Sequence, residues 1–154
     1  MTLILRAYRD EDFAAVVDLW TACHLLKPHH DPKREVAFVH GAVNAELFLA
    51  FEGERLAGSI QVGHDAHRAW MYRLGVAEDL RRRGIGRALV ARAESWALAR
   101  GLPKLMLLIR DGNEAVAQVK HQDHPVLDRA AGHPARASCD MRGGRREHQC
   151  AGEA

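Results

Sequence analysis

Residues 70–89 read Trp70-Met71-Tyr72-Arg73-Leu74-Gly75-Val76-Ala77-Glu78-Asp79-Leu80-Arg81-Arg82-Arg83-Gly84-Ile85-Gly86-Arg87-Ala88-Leu89. The spacing predicts a strand over Ala69–Val76, with Trp70, Tyr72, Leu74 and Val76 on one face and Met71 on the other. A loop carrying two glycines follows and enters a helix. A helix start leaves its first backbone N–H groups without partners and presents the positive end of its dipole. Glycine at 84 and 86 clears side chains from those amides, so a phosphate could approach closely. Arg81, Arg82, Arg83 and Arg87 add positive charge at the same point. The physical expectation is a pyrophosphate site. A dinucleotide fold would need a third glycine where Leu89 stands, and the seven residues between Val76 and Gly84 are too many for its tight turn. A nucleoside-triphosphate loop would need Gly-Lys-Ser/Thr, which is missing. A solvated arginine turn remains an open alternative on the loop alone.

Working outward, Arg87–Arg100 reads as a helix of small and apolar residues, closed by Gly101. Leu105–Ile109 is a continuous apolar run, expected as a strand buried on both faces. Asp111-Gly112-Asn113 is a turn, and Glu114–Gln118 begins another helix. Toward the N-terminus, Leu47–Phe51 and Leu56–Val62 are strands joined by the turn Glu52-Gly53-Glu54-Arg55, and Gly63–Arg68 is a polar connection. Thr2–Ala7 is a strand. Asp10 is the expected N-cap of a helix that places Phe13, Val16, Val17, Trp20 and His24 on one face. Asp31-Pro32 starts a second helix, expected to reach about Val43.

Arg81-x-x-Gly84-x-Gly86 after the Tyr72-x-Leu74-x-Val76 strand resembles the acetyl-CoA loop of the GNAT-type N-acetyltransferases. The resemblance extends over residues 3–118: Leu5–Asp12 is similar to the family's opening strand and helix cap, Leu47–Val62 to its central hairpin, and Asn113-Glu114-Ala115 to the start of its last helix. It implies an α+β fold, a twisted mixed sheet flanked by helices. It also implies acetyl-CoA as co-substrate and direct transfer of an acetyl group to a primary amine on a small molecule or a protein. The backbone of Leu74, Gly75 and Val76 would pair with the pantetheine arm like an added strand. The amides from Arg81 to Arg87, with Arg82, Arg83, Gly84, Ile85 and Gly86 between, would hold the pyrophosphate, and Asn113 would touch the cofactor. The thioester would lie in a gap between the Ala69–Val76 and Leu105–Ile109 strands.

Two departures bear on activity. Where the family carries a Phe-Tyr pair whose tyrosine often protonates the leaving thiolate, this chain has Val119-Lys120. No catalytic residue is assigned by the resemblance. The composition then changes: residues 119–154 hold only Val119, Val126, Leu127 and Met141 as large apolar side chains, too little to offset the entropy of ordering. The expected organisation is an acetyltransferase domain over 1–118 and a polar, weakly ordered tail over 119–154, as a shifted reading frame near residue 119 would produce. The sheet would then lack its C-terminal strands and expose an apolar edge capable of self-association. The alternative is a catalytically weak or inactive remnant that still binds CoA. A third reading is a basic interaction module acting through Arg81–Arg87.

The 154 residues fit a single domain. A net charge of +2 argues against wholesale binding of nucleic acid or an acidic membrane. There is no apolar run long enough to span a bilayer and no secretory leader, and three scattered cysteines make no disulfide framework, so a reducing cytoplasmic location is expected. No metal site is expected. His29, His30 and Asp31 read as loop residues beside a helix cap, with metal ligation as the rival reading, and the resemblance implies that this loop borders the acceptor site; His64, Asp65 and His67 read as a solvated turn with a general base as the rival reading. His133, Cys139, His148 and Cys150 lack zinc-ligand spacing. Trp20, Trp70 and Trp96 read as core, and Cys23 as a buried thiol on the first helix.

Overall fold

Alternation along neighbouring strands, interrupted by register shifts in the β2–β3 and β3–β4 pairs, decides which side chains face which layer. The computed structural model describes residues 2–107. The strands are β1 (Leu3–Ala7), β2 (Ala45–Glu52), β3 (Arg55–His64), β4 (Ala69–Val76) and β5 (Leu105–Leu107), in the sheet order β1-β2-β3-β4-β5. The first four run antiparallel to their neighbours, and β5 pairs in parallel with β4. Helices α1 (Phe13–Ala22) and α2 (Pro32–His40) cover one face, and α3 (Ile85–Leu98) covers the other. Phe48, Ala50, Ile60, Val62, Ala69 and Met71 pack under α3 against Ile85, Leu89, Val90, Ala93 and Trp96. Leu47, Leu49 and Leu56 face the other way, against Val16, Leu19 and Trp20 of α1 and Val36 and Val39 of α2. This is the α+β arrangement that the sequence predicts.

The details that differ have local causes. Asp10 does not cap α1: Asp10–Asp12 forms a separate tight turn, and the Asp12 carboxylate accepts the Arg9 amide at 2.9 Å. α1 ends at Ala22, and His24, with φ 54, is exposed rather than part of the apolar face; Leu19 takes that place. Cys23 therefore follows the helix, half-buried. α2 starts as expected, with Asp31 accepting the Lys33 amide at 3.0 Å and Pro32 in the first turn, but it stops at His40, leaving Val43 97% exposed. β3 runs on to His64, which shortens the expected connection. α3 begins at Ile85, two residues before the expected Arg87, and closes as predicted, with Gly101 at φ 70 and the Leu102 amide reaching Ala97 O at 3.1 Å.

The largest departure is in β4. Ser59 stands opposite Gly75 while Gln61 stands opposite Tyr72, so β4 carries one extra residue, a β-bulge, with Arg73 at φ 45. Ala69 and Met71 before the bulge, and Leu74 and Val76 after it, all face α3. The expected single face of Trp70, Tyr72, Leu74 and Val76 is thereby split. Trp70 is half-buried rather than core, and Tyr72 is exposed. Trp20 and Trp96 are buried as expected. Residues from 108 onward lie outside the described residues. They include the end of the expected Leu105–Ile109 strand, Asn113, the expected last helix and the 119–154 tail with its histidines and cysteines.

Candidate functional site

Beyond Val76 the chain is tied down twice before it reaches α3. The Ala77 amide donates to Ala57 O at 2.9 Å, the last bond joining this strand to β3. A tight turn, Glu78–Leu80, then drives the Leu80 side chain into the core under α3. Arg82 (φ 62) and Gly84 (φ 82) both adopt left-handed backbone, and the chain reverses into α3. The Ile85 side chain is buried, which fixes the first turn against the sheet.

The first bond of α3 runs from the Ala88 amide to Gly84 O at 3.0 Å. The amides of Ile85 and Gly86 precede it and have no acceptor one turn back. A Cβ placed on Gly84 would meet nothing within 4 Å, and one on Gly86 would meet only Val76 Cγ2 at 3.8 Å. Protein packing therefore does not require glycine at 86, where it costs a helix about 1 kcal/mol relative to alanine. What glycine provides there is clear space in front of the amides.

The four arginines are not equivalent. Arg81 gives its amide to Glu78 O at 3.3 Å and its Nε to Val76 O at 3.2 Å. Arg83 forks onto the Glu52 carboxylate with bonds of 2.6 and 3.0 Å. All four are exposed. Beside them Arg55 forks onto Asp79 at 2.6 and 2.8 Å and holds that carboxyl below its ordinary range. The open cradle thus comprises the backbone from Arg82 to Gly86.

The strand that leads into the loop also presents polar backbone. Ala77 points its amide toward β3, so Val76, its neighbour, points its own carbonyl to the opposite edge. Among the described residues β5 pairs with β4 only from Ala69 to Met71. Past the bulge the recorded partners of the Val76 carbonyl are the Arg81 Nε and the Cys23 thiol, the latter at 3.5 Å. Gly75 makes room for the chain leaving α1: a Cβ there would lie 2.8 Å from Leu25 Cδ1 and 3.3 Å from Cys23 Sγ. Leu74, Gly75 and Val76 are therefore brought together with the loop at one end of β4.

A polar cluster missed by sequence reasoning sits on the α1–α2 face of the bulge. Arg73 lies 4.9 Å over the Trp20 ring, donates to Gln61 Oε1 at 2.9 Å and pairs with Glu35 of α2. Trp20 Nε1 donates to the buried Ser59 hydroxyl at 3.0 Å. The signal was an arginine between Tyr72 and Leu74, inside an apolar strand pattern.

The histidine segments are locally satisfied. Asp65 accepts the amides of Arg68 at 2.8 Å and His67 at 2.9 Å, which bring its carboxyl down to about 2, and His64 Nδ1 accepts the Ala66 amide at 3.0 Å. This turn stands at the far end of β4 from Val76, as a structural turn would. In the other segment His30 Nδ1 accepts the Lys27 amide at 3.3 Å. Among the described residues no histidine, cysteine and carboxylate cluster suits a metal, and no helix is long and apolar enough to cross a membrane.

Fold and loop together define a class: an α+β domain whose fourth strand delivers a glycine-bearing turn to an open helix N-terminus. Comparison with known proteins supplies the family. The model described as the acetyltransferase (GNAT) family matches residues 13–119. An acetyltransferase of Pectobacterium atrosepticum is 43% identical over 114 residues, covering 73% of this chain and 79% of that protein. Two solved structures share the fold. AAC(6')-Iy in complex with a bisubstrate analogue, CoA-S-monomethyl-acetylneamine, has a TM-score of 0.69 at 14% identity, covering 97% of this chain and 100% of the other. An N-acetyltransferase of Thermoplasma acidophilum in complex with coenzyme A has a TM-score of 0.64 at 18% identity, covering 77% and 86%. The chain belongs to the acetyltransferase (GNAT) family, a family of acyl-transferring enzymes.

Proposed function

We propose that this protein transfers an acetyl group from acetyl-CoA directly to a primary amine. The observation that carries the reading is the cradle before α3, where Gly84 and Gly86 leave open space and the amides of Ile85 and Gly86 lack helical acceptors. Unpaired amides at the start of a helix suit the negative charge of a pyrophosphate. The backbone from Arg82 to Gly86 would hold it, with Arg81, Arg82 and Arg87 supplying charge. The edge of Leu74, Gly75 and Val76 that faces away from β3 would take the pantetheine amides, and Arg81 would yield the Val76 carbonyl to them. Asn113 would complete the cofactor contacts. Acetyl-CoA supplies an activated thioester. The chain's part is to orient it, to admit the amine in neutral form and to shield the encounter from water.

The acceptor is a small molecule or a protein amine, and the setting is the cytoplasm. The family match ends at residue 119, which supports a catalytic domain over 1–118 followed by a tail that lies outside it. Val119-Lys120 in place of an aromatic pair favours a second reading, a CoA-binding domain with little turnover. Loss of one general acid lowers rate by about a hundred- to ten-thousand-fold. Titration calorimetry with CoA and a thiol-release assay over an amine panel separate the two. Active transfer gives both heat and thiol, whereas a binding remnant gives heat alone. Neither signal would refute both readings and leave the basic interaction module. Gly84→Val, placed at φ 82 in front of the cradle, is expected to abolish CoA binding.

A further inference from the structure

The phosphate loop is bolted at two points to one hairpin turn. Glu52 ends β2 and Arg55 begins β3, with Gly53 and Glu54 between them. Glu52 takes both ends of the Arg83 guanidinium, at 2.6 and 3.0 Å. Arg55 places both of its own terminal nitrogens on Asp79, at 2.6 and 2.8 Å. The polarity is crossed: the turn offers one acid and one base, and the loop answers with one base and one acid. Paired forks of this kind fix orientation as well as distance.

The loop needs such fixing. From Arg81 to Gly84 every residue is exposed, and two of the four carry left-handed backbone. Leu80 before this stretch and Ile85 after it are the nearest buried side chains. Apolar packing therefore holds the ends of the loop but not its middle.

We propose that Glu52 and Arg55 are positioning residues for the cofactor site, and that Arg83 is a strut rather than a phosphate ligand. The inference rests on the reading that CoA binds this loop. Glu52, 12% exposed at its side chain, fastens Arg83, and Arg83 sets the backbone of Arg82 and Gly84 so that the amides beyond it converge. Arg55 does the same for the start of the loop through Asp79.

The sign of one substitution decides between a strut and a parked ligand. Glu52→Gln removes a negative charge beside a polyanion, so Coulomb attraction alone would tighten CoA binding. It would also free Arg83 if that side chain were a phosphate ligand held in reserve. A strut gives the opposite result. Titration calorimetry of the full chain with CoA, alongside thermal melts, is the test. Glu52→Gln and Arg83→Gln are each expected to weaken CoA about three- to tenfold, and the double variant no further than either single one. The charge swap Glu52→Arg with Arg83→Glu is expected to recover most of the loss. Each variant should still melt in one cooperative transition above the titration temperature, so that the loss of affinity is read on folded protein. Unchanged or tighter binding by Glu52→Gln, with the wild type binding CoA, overturns this inference and leaves the proposed function standing. A wild-type chain that takes up no CoA overturns both.

Discussion

Asp12 shows how much of this fold a single carboxylate can organise. It is 7% exposed at its side chain, takes both arms of Arg6 from β1 at 2.6 and 2.7 Å, and accepts the Arg9 amide that starts the turn into α1. The Arg6 hydrogen bonds hold its carboxyl below the ordinary 3.8. A carboxyl depressed on folding adds stability above its unfolded pKa, and that stability disappears as pH falls through the folded value. Thermal melts of the wild type and Asp12→Asn should therefore differ at neutral pH, by about 1–3 kcal/mol, and converge as the pH drops below 3.8. A gap that stays constant into acid would exclude this linkage. Ser59 poses a similar test without charge. Its hydroxyl is fully buried and accepts from Trp20 Nε1, so Ser59→Ala leaves a buried donor unmet and should cost about 1–3 kcal/mol in denaturant unfolding.

At the scale of elements, two glycines of the same sheet–helix interface are expected to respond in opposite ways. A Cβ on Gly58 would lie 2.9 Å from the Gly75 carbonyl oxygen, 3.0 Å from Leu89 Cδ1 and 3.2 Å from Ile85 Cγ2. Gly58→Ala must therefore push β4 and the start of α3 apart, lowering stability by about 1–3 kcal/mol and weakening CoA together. Gly86→Ala meets only Val76 Cγ2 at 3.8 Å and improves helix propensity by about 1 kcal/mol. Its melting temperature should rise while CoA affinity falls. A variant that gains stability and keeps affinity would mean that the space before Gly86 is not used. Most elements were legible because their apolar spacing is the physical cause of their burial, as with the α3 face of Leu89, Ala93 and Trp96. The bulge was not. Tyr72, Leu74 and Val76 keep strict alternation in sequence, and the extra residue appears only when β4 is registered against β3. Arg73 consequently lay hidden among strand residues, although it joins α1, α2 and β3 at that point.

For the whole molecule, the loop after Val76 was legible because a glycine pair at a helix start is a local pattern. Its anchorage was not, because Glu52 and Arg83 are far apart in sequence and meet only through the sheet. The same contrast separates the two faces of the domain. The α3 face carries the proposed cofactor cradle, written in consecutive residues, whereas the α1–α2 face is assembled from side chains on four elements. The most direct measurement of the central claim is an amide NMR titration of the full chain with CoA. The account predicts saturable shifts concentrated at the amides of Arg82–Gly86 and along Leu74–Val76, with the Asp65–Arg68 turn at the other end of β4 silent. Saturable shifts that leave the amides of Arg82–Gly86 unmoved, or no shifts at all, would contradict it.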